Sequence, residues 1–355
     1  MVESKLHLHR DLEHICLENI QTCILLGNLS AASMQSSSEA LYLGIAIRIA
    51  EILRFNVPHR SDTVVMQELK RRIWWSLFMF DHWCSAGNAV LLKMRNFDKA
   101  IDLPMDESVF QSLEMDQMTK PTLSKPDIWA HMITLVEIFG RIQDLNQRCA
   151  HANANASATE NAVASLALSL NDWEASLPPD MRYNRINLDR FRGRSLGGPF
   201  ISLHQAFYHY GTVLFYQYLD VNQASTPRSA EFAGRCKRLA ISQSALLKTA
   251  RELGDCDLLY PGVGHSAVIS SSVLLHTLLF GDEIEHDTSW AYLGSNIEIL
   301  KELRRYWPSV ERTVSCLTIF QEGCLQKGAP QAYTFSKWVS RFLFEYQLPL
   351  DEAIV

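Results

Sequence analysis

Apolar residues recur at intervals of three and four from Leu12 to Tyr346, a spacing that an amphipathic helix satisfies and a strand does not. Leu12, Cys16, Ile20, Cys23 and Gly27 form a first stripe. After the serine-rich stretch Ser33–Ser38, which supplies N-cap candidates, Leu41, Ile45, Ile49, Ile52 and Leu53 form a second, ending near Asn56-Val57-Pro58. Glu68–Trp83 is densely aromatic, and Pro126 is placed to open a helix carrying Ile128, Met132, Leu135, Phe139 and Ile142. Leu166, Leu170 and Trp173 precede the stop signal Pro178-Pro179. Later runs cover Phe200–Leu219, Glu231–Leu253, Val263–Phe280, Trp290–Tyr306, Val310–Gln321 and Tyr333–Tyr346. β-branched alternation between hairpin turns is scarce. The expected fold class is all-α, a single large array of packed helices over residues 1–355, with 150–161 an internal flexible loop because His151–Asn161 is low in complexity.

Two stretches, Ser195–Leu219 and Leu258–Phe280, contain no Asp, Glu, Lys or Arg. Their His, Ser, Gly and Pro content favours buried helices over membrane spans, since a bilayer penalises polar groups. No apolar stretch follows Met1–Lys5, so the expectation is a soluble intracellular protein without a signal peptide or membrane contact. With 47% hydrophobic and 20% charged residues the composition is that of a globular chain, and the net charge of −6 argues against a polyanion gripped by the whole surface.

The eight cysteines, at 16, 23, 84, 149, 236, 256, 316 and 324, include no Cys-x-x-Cys pair. Four tetrahedral thiolates need short spacings to converge on one ion, so these are expected to be core thiols, with no metal and no cofactor.

The most informative stretch is Glu68-Leu69-Lys70-Arg71-Arg72-Ile73-Trp74-Trp75, followed by Asp81. Glu68 and Arg72 stand in the favoured order for a helical ion pair, worth about 0.3–0.5 kcal/mol if exposed. Trp74 and Trp75 point about 100° apart around a helix, which must then be covered on two sides. The cluster reads as a buried ion-pair girdle beside a tryptophan core, with a nuclear-import or DNA-contacting basic patch as the functional alternative.

Glu68 to Asp81 resembles the E-x-x-R-R-x-W-W signature with a following aspartate of the fungal-specific transcription factor domain, or middle homology region. Upstream, Leu41–Ala50 is similar to the family's helix with a glycine and an arginine, here Gly44 and Arg48. Downstream, Asp102 and Pro104 stand where the family has D-x-P, and Trp173 and Pro178 resemble its W-x-x-x-L-P element. Leu203–Leu219 is similar to its aromatic helix, so that the resemblance extends over nearly the whole chain. Two departures stand out. The sequence begins almost at the domain's first helix, without the binuclear zinc cluster that usually precedes it. The segment between Trp83 and Lys99 lacks the family's Gly-Arg-Pro.

Other constellations carry less. Arg182, Arg185, Arg190, Arg192 and Arg194, interleaved with Tyr183 and Phe191, superficially suit nucleic acid. Asp180 and Asp189 among them favour a solvated loop with local acid partners. His204 and His209 are five apart, off the spacing of two ligands on one helical face, and His7, His9 and His14 read as solvated. Gly262-Val263-Gly264 lacks the third glycine of a dinucleotide loop, and neither a Gly-x-Ser-x-Gly elbow nor a P-loop occurs.

The resemblance implies a transcription regulator acting in a fungal nucleus through a helical regulatory domain, with genes of secondary metabolism as the expected targets. Implied partners are other transcription factors or coregulators and a small-molecule effector of unknown identity. DNA is a partner only if a zinc cluster is supplied upstream or by another protein. No residue is assigned to DNA contact or to catalysis, and the chain by itself is expected neither to bind zinc stoichiometrically nor to recognise DNA. The alternatives are an interaction module that modulates a complete factor and a helical enzyme that has borrowed the fold.

Overall fold

The computed structural model describes residues 2–57, 59, 61–95, 101–119, 125–149, 156–220, 226–256, 258–326 and 337–345. The helices are α1 Val2–Asp11, α2 Leu17–Ala32, α3 Ser36–Ile52, α4 Val64–Asn88, α5 Glu107–Gln111, α6 Ile128–Cys149 and α7 Ala156–Ser176. They continue with α8 Arg185–Arg192, α9 Gly197–Phe215, α10 Pro227–Leu253, α11 Pro261–Phe280, α12 His286–Leu303, α13 Ser309–Gln326 and α14 Lys337–Phe344. No strand occurs among the described residues, so the protein is all-α.

The Thr63 hydroxyl opens α4 by accepting from Met66 N, and Ala89, in the left-handed region at φ 52°, closes it. A reciprocal Thr226–Ser229 capping box starts α10 with Pro227 at its first position, and Gly254 at φ 69° ends it. At α6 the cap is not the expected proline: Asp127 accepts from Ile128 N through Oδ1 and from Glu107 N through Oδ2.

Three expectations about local structure change. The first apolar stripe is not one helix. Asn19 Nδ2 donates to the carbonyls of Asp11 and His14, the chain turns, and Cys16 takes the extended N-cap position of α2. On α3 the cap is Gln35, without a side-chain bond, and the buried face is Tyr42, Leu43, Ala46, Ile47, Ile49 and Ala50, while Leu41 and Ile52 are exposed. This helix is apolar on nearly every side, so its periodicity fits more than one stripe. Finally, 156–161 is the first part of α7, since its alanines favour helix; 150–155 lie outside the described residues. Residues 333–336 and 346 of the last expected run also lie outside them.

The helices group into two compact units, Met1–Glu137 and Ile138–Val355, although no linker composition marks a division. In the first, α3 packs against α2 and α4 over Ile20, Cys23, Leu26, Ala46, Ile47, Ile73 and Leu77. In the second, α11 packs against α9, α10, α12 and α13. Gly211 lets α9 and α10 approach closely, since a Cβ there would stand 2.7 Å from Leu239 Cδ1.

By length and composition α11 could cross a membrane, yet 78% of its apolar window is buried within the protein. Its serines are accommodated because each hydroxyl bonds back to its own helix: Ser266 to Val263 O, Ser270 and Ser271 to Ala267 O, Ser272 to Ile269 O. Asn296 of α12, wholly buried, donates to the hydroxyls of Ser244, Ser270 and Ser271 at 3.0–3.2 Å. It thereby fixes α10, α11 and α12 in register. Asn296→Ala removes this donor and opens a void. A loss of about 2–3 kcal/mol is expected, read as a lower urea midpoint with unchanged helicity.

Candidate functional site: the Glu68 girdle

Glu68 lies on the buried side of α4 with its carboxylate fully shielded from solvent. Such a charge is tolerable only if its lone pairs are filled. Oε1 accepts from Arg72 Nε at 3.0 Å and from Met105 N at 2.9 Å, and Oε2 accepts from Arg71. Arg72 has all three of its faces engaged. Besides Glu68 it reaches Glu107 at 2.6 Å and Met105 O at 3.1 Å, and its guanidinium lies 4.1 Å from the centre of the Phe110 ring. Arg71 faces Asp102 at 3.6 Å. Trp75, 1% exposed, donates its Nε1–H to Asp102 O at 2.9 Å and meets Phe78 edge to face. Pro104 is buried between these anchors.

The structure therefore brings Glu68, Arg71, Arg72, Trp75, Asp102 and Pro104 into one assembly that ties α4 to the segment before α5. Two guanidiniums face three carboxylates, those of Glu68, Asp102 and Glu107, so the cluster presents no excess positive charge. Trp74 leaves this side and packs, half-buried, against the α2–α3 core with Ile73 and Leu77.

Asp81 performs a separate task. Its Oδ2 accepts from Lys93 N and Met94 N, both at 2.7 Å, fixing the segment after α4. Gly44 faces the same segment, its missing Cβ standing 3.8 Å from Lys93 Cε. Arg48 is exposed and pairs with Glu51. Trp173 and Pro178 belong to the second unit, where Trp173 stacks on Phe207 at 5.5 Å and Pro178 O accepts from Met181 N.

The second basic stretch is a short helix, α8, rather than a loop. The Asn184 side chain caps it through Asn187 N. Arg185 and Arg192 pair with Asp189, Arg190 with Asp180, and Arg192 also with Asp255. Phe191 is buried against Phe200, and Tyr183 leans toward His204, so neither ring is presented for base stacking. His204 Nε2 donates to Met181 O, and His265 Nε2 to Leu343 O. Burial pushes both imidazoles down to about 4 and His209 to about 3, which keeps them neutral at physiological pH. All eight cysteines are free thiols. One grouping that spacing did not single out is Asp11, His14 and Cys16, whose ligand atoms lie within 4.8 Å of one another. A D-x-x-H-x-C pattern straddling a helix end was its sequence signal.

Arg72→Ala should lose about 3–5 kcal/mol of stability, the cost of leaving Glu68 buried with a partner removed. A lowered melting temperature with reduced soluble yield is the readout, and Arg72→Lys should not restore it, because an ammonium cannot supply three directed edges. Asp81 gives a pH-dependent test. Desolvation raises its folded pKa, opposed by the two backbone N–H groups. The folded state then holds a proton that the unfolded state has released, so Asp81 lowers stability as pH rises from the ordinary aspartate value through the raised one. Asp81→Asn retains an acceptor for both N–H groups and removes this loss. Its stability relative to the parent should therefore grow with pH across that window, while Asp81→Ala should be destabilised throughout.

Residues 8–175 match the family described as fungal specific transcription factor domain. A Zn(2)-C6 fungal-type transcription factor, FTF1c, of Fusarium oxysporum f. sp. lycopersici is 24% identical over 81% of this chain and 34% of its own length. An uncharacterized transcriptional regulatory protein of Schizosaccharomyces pombe is 24% identical over 84% of this chain and 42% of its own. The chain thus spans about a third to two fifths of the length of these relatives. No solved structure matches it. The matched region contains the whole girdle, Asp81, Gly44, Arg48 and Trp173, whereas Pro178 and α9 lie past its end. Over residues 8–175, the chain is similar to the family described as fungal specific transcription factor domain.

Proposed function

We propose that the chain is the helical regulatory part of a fungal transcription regulator, acting in the nucleus through other transcription factors or coregulators rather than through catalysis. The observation that carries this reading is the match of residues 8–175 to the domain family, in which the girdle residues stand together. The engagement of Arg71 and Arg72 inside their own unit supports a scaffold role for the signature. DNA contact then depends on a reader supplied outside this sequence. For a small-molecule effector, the second unit offers a half-open cleft of about 370 Å³ floored by Leu247, Ala250, Leu258, Val263 and Ile299. At its rim Arg251 and Glu302 pair at 2.9 Å. Its size and apolar floor suit a compact ligand with one polar group.

Fusion of the chain to an unrelated DNA-binding domain tests the proposal. Reporter transcription in a fungal host should rise or fall relative to the DNA-binding domain alone. Unchanged output from a fusion that accumulates in the nucleus would count against it. In parallel, anisotropy titration of the unfused chain against duplex DNA should show no sequence-selective binding at either of two salt concentrations, as its acidic net charge leads one to expect.

A further inference from the structure

The turn between α1 and α2 gathers three different metal-ligating chemistries within six residues. Asp11 ends α1, His14 lies in the turn, and Cys16 is the N-cap of α2. Their carboxylate, imidazole and thiol atoms all lie within 4.8 Å of one another. His14 Nδ1 is already 3.6 Å from Asp11 Oδ2. Donors around a tetrahedral zinc ion, at bond lengths near 2.0–2.3 Å, stand roughly 3.3–3.7 Å apart. That edge of the tetrahedron is therefore in place, and the Cys16 thiol lies within 4.8 Å of ligand atoms of both partners.

We propose that Asp11, His14 and Cys16 form a site for zinc or a zinc-like divalent cation that clips the end of α1 to the start of α2. Nitrogen, oxygen and sulfur donors together suit borderline zinc better than the harder calcium or magnesium. Three protein ligands leave the fourth position to water. Binding turns the Cys16 thiol into a thiolate and releases one proton; no electron is transferred.

The surroundings favour the site in three ways. Asn19 Nδ2 holds both Asp11 O, at 2.9 Å, and His14 O, at 2.8 Å, so the turn that carries the ligands is fixed before an ion arrives. The side chains of His14 and Asp11 are 71% and 57% exposed, which gives an ion direct access. Finally, α1 buries only Leu8, so a metal bridge at its end would add a second anchor to a helix that has little other purchase. Competing thiols are few: desolvation raises the other seven cysteines, Cys23, Cys316 and Cys324 to about 11 and Cys84 to about 12 among them. The cluster revises the expectation, drawn from cysteine spacing alone, that the chain takes up no zinc. That spacing argument concerned sites made of several thiolates, and this one needs a single thiolate.

Cobalt(II) titration of the reduced full chain, freed of metal by a chelator, tests the proposal. One equivalent should produce a thiolate-to-cobalt charge-transfer band, and zinc should displace it. Cys16→Ser should abolish the band, His14→Ala and Asp11→Asn should weaken binding at least about tenfold, and Cys324→Ser should leave it unchanged. Zinc should also slow amide exchange in α1 of the parent and not of Cys16→Ser. Absence of the band, or its persistence in Cys16→Ser, would overturn the site. All four substitutions are checked for an unchanged melting temperature without metal, and a Cys324→Ser variant that unfolds is replaced by Cys149→Ser. Since neither readout involves transcription, a negative result here leaves the reporter experiment to stand or fall separately.

Discussion

A single carboxylate, that of Glu68, sets the terms for the first unit. Once it is withdrawn from water, its oxygens must be filled, and the helix on which it sits can fill them only in part. Arg71 and Arg72 lie within reach on the same helix, but the remaining donor is a backbone N–H from Met105, far along the chain. The arginines drawn inward then need acceptors of their own, which Asp102, Met105 O and Glu107 provide. Glu107 N in turn reaches Asp127, the cap of α6. One buried charge thereby obliges a loop, a short helix and the residue that opens α6 to take fixed places around α4.

This chain of obligations explains why the signature and the D-x-P element occur together. Their residues are parts of one hydrogen-bonded object, in which the loop gives backbone groups to α4 and α4 gives an indole N–H and guanidinium edges to the loop. Only half of it was legible in the sequence. The Glu68–Arg72 spacing, the two-sided demand of adjacent tryptophans and the implied burial all follow from helical geometry. The return of Asp102 and Glu107 does not, because contacts between distant segments leave no periodic trace.

The misread places have related causes. From Ala40 to Ile52 of α3 all but two positions, Arg48 and Glu51, are apolar or glycine, so the pattern named a helix but not its face. At the α1–α2 turn the apolar spacing continued across a break that a single asparagine side chain imposes. In α8 the density of arginine and aspartate suggested a solvated loop, although these same residues pair at helical spacings and Phe191 anchors the helix inward. The Asp11–His14–Cys16 grouping went unseen because its members belong to three different local contexts: a helix end, a turn and a cap.

The self-satisfied serines of α11 have a consequence for the growing chain. A segment whose hydroxyls are already occupied by its own carbonyls offers water almost nothing, and in isolation it presents the surface of a bilayer span. The helices that cover it on two sides, α12 and α13, follow it in sequence, and Asn296, the side chain that locks it against α10, is part of α12. As α11 leaves the ribosome, half of its shelter has yet to be synthesised. Faithful maturation of the second unit thus depends on an interval in which a bilayer-like helix must be kept from lipid and from its own kind until the downstream helices arrive.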